Sequence, residues 1–580
     1  MGQYPTICIF LLFYVTMLLV ITMKGRLKRN LRFLLIFLVF LLLMGIAPFI
    51  SKRIHPTRYI RYDEPILNVT IPFLQGQEAD EKLLSIPRGS KVQVRDEMED
   101  KSKVRYEDED FWIDNQYLAQ SLEECVQTDS VYVRRLVNLR NEKEGKLLDT
   151  IAEKGEKLEV VSVSEEDLDV STGIVNWYQI KKQGKKYWIP GKYVESTQEL
   201  ADKNYGESIQ HSTYWDAYYG EGYSKKAYVD SVDYKPMKKA IYEDNPLPEN
   251  VNALHVTLDN LIRNKDRLLK LNEESGINAF VVQLKDDDGV LYYNSKTAEK
   301  YLKNPEKVLA PRAVPYEDLE AVFKEYQEHG YYMIARIVTF KDKIFASENP
   351  KESYTDPDGN LILHSNQYWP SPYSRKAWQY NVSIAKELAP FINEIQFDYV
   401  RFPDGTLQNT LDKKGDFHNK YKESKAEVIQ GFLMYAKDEL SKYHIYIAAD
   451  IFAWPIVSKD DQDIGQFLPA IANVVDVVCP MPYTDHFSKG AMGIADPTKE
   501  PKETLYRFTN ITSLQLQEIQ YPAQYRTWIR GYYTDKKDVK AEIEGIMKGG
   551  HQGYLVWHPN GNWEEIESLI PGFIDTKKEE

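Results

Sequence analysis

Residues 394–403 decide the fold of the C-terminal half of this chain; they read Glu-Ile-Gln-Phe-Asp-Tyr-Val-Arg-Phe-Pro. Apolar and polar residues lead into Asp398, Arg401 follows, and Pro403 prevents the stretch from continuing as a strand. The pattern predicts a buried parallel strand that ends in a carboxylate. At the C-terminal end of a barrel strand, an acidic residue points towards the region where such barrels do chemistry. The alternative is a structural Asp–Arg pair inside the barrel mouth.

From about residue 251 onwards, short apolar runs alternate with amphipathic helical patterns such as 315–329 and 421–442. This alternation is typical of a parallel α/β fold. We therefore predict a (β/α)8 TIM barrel over 251–575. An open doubly wound sheet is disfavoured because no glycine-rich phosphate loop follows the first strand. The eight candidate strands are 251–257, 278–284, 331–338, 394–399, 445–450, 475–481, 525–530 and 553–557.

Polar and aromatic residues gather at the ends of these candidate strands. In a barrel, such strand ends share one rim. Carboxylates, guanidinium groups and aromatic rings that converge on a rim are typical of a carbohydrate cleft. The residues concerned are Asp286, Arg336, Asp398, Arg401, Asp450, Tyr483, Asp485, His486, Trp528 and Trp557.

A family resemblance rests on the same strand-end motifs, which lie at 283–289, 334–338, 340–342, 398–403, 449–452, 480–483 and Trp557. Together they resemble a glycoside hydrolase family of bacterial surface proteins, whose TIM barrel is distantly similar to α-amylases and α-galactosidases. The resemblance covers residues 251–570. It implies a TIM barrel and a glycosidase-like activity, and it defines the fold better than the reaction.

Two positions depart from the family pattern. The family tends to have Tyr-Pro-Ser-His after the sixth strand, where this chain has Tyr483, Thr484, Asp485 and His486. After the Trp of the seventh strand it tends to have Gln-Asp, where this chain has Arg530-Gly531. One carboxylate is thus lost and another gained, which indicates compensation, altered specificity or lost activity.

Glycoside cleavage needs two carboxylates, one ionised and one that donates a proton. We assign Asp398 as the nucleophile or oxocarbenium stabiliser, with Arg401 keeping it ionised, because a nearby cation lowers a carboxyl pKa. Asp450 is flanked by apolar residues, which makes it the better acid. Asp485 is the other candidate for the acid. For each of these three aspartates, the alternative is a purely structural role.

The expected substrate contacts come from the remaining rim residues. Asp286 is expected to bind a sugar hydroxyl or Lys341, and Arg336 is expected to be a buried barrel charge that pairs with Asp398 or contacts substrate. The spacing of the histidines predicts neither a metal site nor a cofactor. The substrate-binding set is Asp286, Arg336, Arg401, Tyr483, His486, Trp528 and Trp557.

The region 64–197 contains two similar units, each with short alternating runs and a closing Trp-Ile followed by Tyr-Leu or Tyr-Val. They resemble bacterial SH3-like domains, which implies two small all-β barrels at 60–125 and 130–197. The first is degenerate, because acidic residues 95–110 replace part of its expected strands. Such domains bind cell-wall peptide or glycan in related proteins; the alternative is a spacer. Polar, proline-bearing residues 198–250 are predicted to form a linker.

Two apolar runs of spanning length, 5–23 and 31–50, flank a basic loop from Lys24 to Arg32. The positive-inside rule places this loop in the cytoplasm, so residues 1–52 form a transmembrane anchor. Translation from Met23 would leave a single signal-anchor run with the same orientation. Either arrangement puts the chain after about residue 50 outside the cell membrane.

The net charge of −14 argues against nucleic acid as a partner. The 41 Tyr and 10 Trp residues suit the recognition of sugars, since both side chains combine a flat apolar face with a polar tip. The sequence thus predicts a membrane-anchored extracellular glycoside hydrolase that acts on a polysaccharide or peptidoglycan-type glycan. The alternatives are a non-catalytic carbohydrate-binding protein with the same barrel, and a surface scaffold.

Protease added to intact cells should release a fragment that lacks residues 1–50, because the basic loop retains the anchor in the membrane with the rest outside. Immunoblotting of the medium measures the release. A barrel that stays protected in intact cells but is digested after lysis would contradict this orientation.

Overall fold

A computed structural model describes residues 56–72, 81–206, 229, 231–406, 414–551, 553–559 and 561–576. The predicted anchor at 1–52 lies outside these residues. Among the helices that the structure describes, none combines the length and apolar character needed to cross a membrane.

The chain divides into two compact units. The first runs to Val131 and adds Leu158–Lys186 and Glu195–Thr197. The second consists of Tyr132–Lys157, Tyr187–Val194 and the chain from Gln198 onwards. Residues of the second predicted repeat therefore belong to both units.

The N-terminal region is rich in β-structure. A five-stranded sheet of the first unit has the order Glu109–Asp114, Lys101–Tyr106, Lys91–Glu97, Thr57–Ile60, Leu118–Ala119. A separate hairpin pairs Ile66–Pro72 with Glu81–Pro87. The further strands up to residue 195 are Ser130–Val133, Val137–Arg140, Leu147–Ala152, Lys157–Ser162, Leu168–Asp169, Ile174–Val175, Trp177–Lys182, Lys185–Pro190 and Val194–Glu195.

The expectation that acidic residues 95–110 replace strands is wrong. Lys101–Tyr106 and Glu109–Asp114 form a regular antiparallel hairpin there. Its two turn residues, Glu107 and Asp108, have φ of 46° and 66°, which is the backbone of a two-residue hairpin turn. Charged side chains on the exposed strand positions do not oppose pairing, because alternate residues face the core.

The second unit is built on a curled parallel sheet, as the strand–helix alternation predicts. Neighbouring strands pair in parallel from one to the next, and the first also pairs with the last. In chain order they are β1 (Asn252–Thr257), β2 (Ala279–Lys285), β3 (Tyr332–Val338), β4 (Glu394–Asp398), β5 (Tyr446–Phe452), β6 (Val477–Met481), β7 (Gln524–Tyr525 and Trp528–Arg530) and β8 (Tyr554–Trp557).

β7 is interrupted after its second residue. Gln524–Tyr525 pairs with β6, whereas Trp528–Arg530 pairs with β8. Arg526, between the two pieces, still donates its N–H to the carbonyl of Val478, and the Thr527 carbonyl accepts from Leu555. The ladder thus passes from β6 to β8 within one short segment, which curls the sheet back on itself.

Helices cover the outer side of the sheet. They begin close to the residues at which the sequence pattern predicts a helix start. The helix predicted at 421–442 spans Lys425–Leu440, since Ser424 and Glu427 form a capping box. Among the described residues from β1 onwards, the other helices of the unit are Leu258–Arg263, Lys265–Leu268, Leu271–Ser275, Lys296–Tyr301, Leu319–Glu328, Lys343–Glu348, Arg375–Leu388, Ala453–Ser458, Leu468–Ala472, Pro501–Gln517, Lys536–Lys548 and Trp563–Leu569.

β4 shows how the sequence separates the two faces of the sheet. Phe397 points outward, where its ring packs edge-on against Phe432 at 5.2 Å. Glu394 points inward and pairs with Arg526 at 2.7 Å. Since side chains alternate along a strand, Asp398 also lies on the inner face, at the end from which the connecting loops depart.

The second unit also contains buried ionic contacts between its β residues and its helices. Arg140 contacts Glu439 of the helix Lys425–Leu440, and Lys386 contacts the other oxygen of that carboxylate. Arg134 pairs with Asp233 at 2.5 Å, with both side chains almost fully buried. Residues of the predicted 198–250 linker therefore pack within this unit.

Glu439→Gln should lower the free energy of unfolding of the full chain by about 3 kcal/mol, because it leaves the buried Arg140 and the partly exposed Lys386 without their carboxylate. Glu325→Gln is the matched control: Glu325 forms a 2.9 Å pair with Lys265, and both side chains are about 40% exposed. An exposed pair contributes at most about 1 kcal/mol. Equal losses in chemical denaturation would contradict the structural role of the buried contact.

Candidate active site

Asp398 ends β4 in a buried ion pair with Arg336 of β3. The Arg336 Nε donates to Asp398 Oδ2 at 2.9 Å, and Nη2 contacts the same oxygen. The other oxygen, Oδ1, accepts the backbone N–H of Tyr399 at 2.6 Å. Asp398 is 6% exposed and Arg336 4%. A carboxylate with this set of donors is held in one orientation.

Arg336, not Arg401, is thus the partner of Asp398, which corrects one expectation and confirms the pairing that the sequence left open for Arg336. Arg401 turns away, donates to the carbonyl of Phe402 at 2.7 Å and lies 4.1 Å above the ring of Phe452. The cause is local: Tyr399 has a φ of 47°, so the chain changes direction directly after Asp398.

Asp450 occupies the corresponding place on the neighbouring strand β5. The ladder between the two strands pairs Phe397 with Ala449, so Asp398 and Asp450 follow as the next residues of each strand. Trp528 donates its indole N–H to Asp450 Oδ1 at 2.7 Å. Within the described part of the chain, no group hydrogen-bonds Asp450 Oδ2.

The pKa of the Asp450 carboxyl is raised well above its usual range. Burial is the main cause, and the negative charge of Asp398 adds to it, while the Trp528 N–H and Arg336 act in the opposite direction. The negative charge of a neighbouring carboxylate makes the ionisation of a second carboxyl group unfavourable. Asp450 is therefore the group of this pair that keeps a proton.

A chain of hydrogen bonds connects Arg336 with the loop after β2. Arg336 Nη1 donates to Gln283 at 3.2 Å, Gln283 donates to the Tyr292 hydroxyl at 3.2 Å, and Tyr292 donates to Asp286 at 3.1 Å. Asp286 also accepts the backbone N–H groups of Asp288 and Val290, at 3.0 and 2.8 Å. Asp286 thus stabilises the turn that contains it, and it orients Arg336 through Tyr292 and Gln283.

The predicted contact of Asp286 with Lys341 is not formed. Lys341 pairs with Asp287 instead, at 2.6 Å. Both carboxylates belong to the same short turn, and the sequence did not distinguish which of them would face the lysine.

The two tryptophans of the rim, Trp528 and Trp557, differ in their burial and in their contacts. Trp528 is buried, so its role in this structure is to hold Asp450. Trp557 is half-buried; the guanidinium of Arg336 lies 4.7 Å from its ring centroid, and His255 packs on it at 4.2 Å. Burial lowers the pKa of His255 to about 3, so this side chain is neutral at physiological pH.

Sequence reasoning missed His255, and it gave Gln283, the first residue of the strand-end motif 283–289, no role in the site. Both follow the two-residue alternation of their strands, which places them on the inner face together with the small residues Ala253 and Val281. That alternation is the signal that would have found them.

Asp485 and His486 lie on an exposed turn after β6. Asp485 lies 3.9 Å from the Arg530 guanidinium and accepts from the Tyr532 hydroxyl at 3.5 Å. The carboxylate that this chain gains after β6 is therefore next to the arginine that replaces the family's polar pair after β7. Tyr483 precedes this turn and is buried.

Arg530 also contacts Glu542, a buried residue of the helix Lys536–Lys548. Glu542 accepts the Arg530 backbone N–H at 3.2 Å and its Nε–H at 3.4 Å. Burial raises the pKa of Glu542 to about 7, although Arg530 opposes the shift. This carboxyl takes up and releases its proton near neutral pH.

A family model described as "Putative glycosyl hydrolase domain" matches residues 253–563, which contain β1 to β8. The chain belongs to this glycosyl hydrolase family. Its second unit is accordingly a glycosidase-like domain on a curled parallel sheet. The match begins at residue 253, so it leaves the SH3-like resemblance of 60–125 and 130–197 a prediction. No curated protein matches the chain.

Among solved structures, the chain is similar to a hypothetical protein from Ruminiclostridium thermocellum, with 29% identity over 34% of this chain and 96% of the other and a TM-score of 0.29. The glycoside hydrolase domain of PgaB (BpsB) from Bordetella bronchiseptica is 16% identical over 56% and 99%, with a TM-score of 0.41. The catalytic domain of a β-amylase from Paenibacillus polymyxa is 12% identical over 58% and 100%, with a TM-score of 0.38.

Glu542→Gln should flatten the pH dependence of stability between about pH 4.5 and 7. A raised carboxyl pKa means that the folded state holds the proton more tightly, so its contribution is complete below pH 4.5 and is lost as the pH rises through 7. The wild type should lose about 3 kcal/mol more than the variant over this range. Denaturant unfolding at several pH values measures the difference.

Glu544→Gln is the control for this experiment. Glu544 lies on the same helix but at the surface, where it pairs with Lys502 at 2.6 Å. Its substitution should leave the pH profile unchanged. A Glu542→Gln profile parallel to that of the wild type would show that Glu542 is ionised throughout this range.

Proposed function

We propose that this protein is a membrane-anchored, outward-facing glycoside hydrolase that cleaves a cell-wall or extracellular polysaccharide with two carboxyl groups. Asp398 acts as the nucleophile or stabilises the oxocarbenium-like transition state, and Asp450 acts as the general acid. The family match supports hydrolysis of a glycosidic bond. The proposed fold is a complete (β/α)8 barrel, with the cleft at the ends of β3 to β8.

One observation carries the proposal: the two carboxyl groups stand at the ends of neighbouring strands and have different partners. Arg336 bonds Asp398 through two nitrogens, whereas among the described residues only the indole N–H of Trp528 donates to Asp450. We therefore assign the negative charge to Asp398 and the proton to Asp450, whose pKa burial raises. Retaining and inverting glycosidases both require this division between an ionised and a protonated carboxyl group.

Asp450 would deliver its proton through the carboxyl oxygen that forms no hydrogen bond with the described residues. Its Oδ1 is held by Trp528, whereas among the described residues none bonds Oδ2. A protonated Oδ2 facing the glycosidic oxygen would donate as the bond to the leaving group breaks. Asp398 would meanwhile stabilise the positive charge that develops at the anomeric carbon.

The proposed stereochemical outcome is retention. Neighbouring strands are about 4.8 Å apart, and carboxyl groups about 5–5.5 Å apart suit a covalent glycosyl-enzyme route. With Asp485 as the acid, the pair would skip one strand, and a wider separation would leave room for an inverting water. The anomeric configuration of the first product distinguishes the two acids.

The proposed substrate is a polysaccharide or a peptidoglycan-type glycan at the cell surface. The location follows from the apolar runs and basic loop at the N-terminus. The N-terminal β repeats would hold the barrel away from the membrane or bind the wall. Incubation of the full chain with a glycan array, followed by mass spectrometry of the products, tests the substrate.

On a glycan that the wild type hydrolyses, Asp398→Asn should lower kcat by at least about a thousandfold, because the transition state loses its negative partner. Asp450→Asn should impair substrates with poor leaving groups most, since these need protonation. Steady-state kinetics with a good and a poor leaving group measure both effects.

Asp259→Asn serves as the control for these variants. Asp259 is a surface residue of the helix Leu258–Arg263, where it pairs with Arg263 at 2.9 Å. Its turnover should match that of the wild type. Wild-type turnover by Asp398→Asn would remove the catalytic assignment and favour the non-catalytic carbohydrate-binding protein.

A further inference from the structure

Tyr533 is the most exposed large side chain beside the candidate site. It follows β7 in the connection to the helix Lys536–Lys548, and 94% of its surface is accessible. Its φ is 46°, a conformation that bulky residues rarely adopt and that glycine adopts without strain. A large aromatic ring at a strained and exposed position adds little to the core, which points to a role outside folding.

The connection that carries Tyr533 is fixed at both ends. Gly531 donates its N–H to the carbonyl of Trp557 at 2.7 Å, and a Cβ at residue 531 would meet that oxygen at the same distance. At the other end, Asp535 caps the helix by accepting the N–H groups of Lys537 and Asp538. The ring of Tyr533 is therefore presented on a short, anchored loop.

Tyr533 is the outer end of a continuous series of rings. Its centroid lies 5.7 Å from that of Tyr532, which in turn lies 5.9 Å from that of Tyr483, both at steep angles. Tyr483 is buried beside the carboxyl pair: burial, followed by Tyr532 and then Asp450 and Asp398, raises its pKa. The series thus leads from the proposed catalytic carboxyl groups to the open surface.

We propose that Tyr532 and Tyr533 form an outer binding platform on which a sugar ring of a long glycan stacks, beyond the sugars held at the carboxyl pair. The proposal rests on the proposed function and adds that the substrate is a polymer that extends over the β7 side of the rim. A flat aromatic face matches the apolar C–H face of a pyranose, and the phenol hydroxyl group remains available to its hydroxyl groups.

The platform implies a length dependence that isothermal titration calorimetry can measure on the full chain. The probes are chito-, malto- and cello-oligosaccharides of two to eight sugars, and Asp398→Asn in every chain prevents turnover. Tyr533→Ala should weaken the binding of the longer members of the bound series about three- to tenfold and leave the shortest unchanged. Tyr533→Phe should keep the affinity, because it keeps the ring.

Two further variants separate binding from folding. Tyr443→Ala is the matched control, since Tyr443 is an exposed tyrosine before β5, at the opposite end of the sheet; it should bind every oligosaccharide like its parent. Tyr533→Gly should melt at the same temperature as the parent or higher, because glycine relieves the strained backbone. It should nevertheless bind as poorly as Tyr533→Ala.

Three other results would contradict the platform, and one of them would also count against the proposed function. Equal affinities of Tyr533→Ala and its parent at all lengths, or an equal loss at all lengths, would overturn the platform and leave the proposed function standing. Failure of the parent to bind any of the three series would overturn the platform as stated and would also count against the proposed function, which the turnover of Asp398→Asn tests separately.

Discussion

The ion pair of Arg336 and Asp398 is the interaction on which the rest of the site depends. It joins β3 to β4 near the C-terminal ends of both strands, and both side chains are almost fully buried. A buried pair is tolerated only where its remaining donors are also bonded. Arg336 meets this condition because it donates a hydrogen bond to Gln283 of β2 and lies against the ring of Trp557 of β8. Residues of these two strands therefore also contact the ion pair.

The same guanidinium determines how Asp450 behaves. Arg336 supplies one positive charge to a region that contains two carboxyl groups, and Asp398 receives its direct hydrogen bonds. The excess negative charge is relieved when Asp450 keeps a proton, which burial already favours. The different roles of the two residues therefore follow from how one cation is positioned, and both residues are aspartates.

The sequence predicted the parallel strands well, because β3 is apolar except for Arg336 and β4 alternates apolar with polar residues up to Asp398, and both strands are buried along their whole length. It also predicted that Asp398 and Asp450 stand at the ends of neighbouring strands, as the structure shows. It failed for Arg401. The left-handed backbone of Tyr399 redirects the chain after Asp398, and a single sequence gives no sign of a positive φ at a tyrosine. His255 was missed because a histidine inside an apolar strand resembles an ordinary core residue.

The interruption of β7 shortens the backbone ladder at one place in the curled sheet. Only a two-residue piece bonds to β6 and a three-residue piece to β8. Arg526, located in the gap, reaches across the interior to Glu394 of β4 and lies 5.6 Å from the ring of Tyr332. Side-chain contacts thus stabilise the sheet at β7. A buried ion pair on the inner face of the curled sheet therefore joins β7 to β4 where backbone pairing is short, and the loop with Tyr533 follows this segment in the chain.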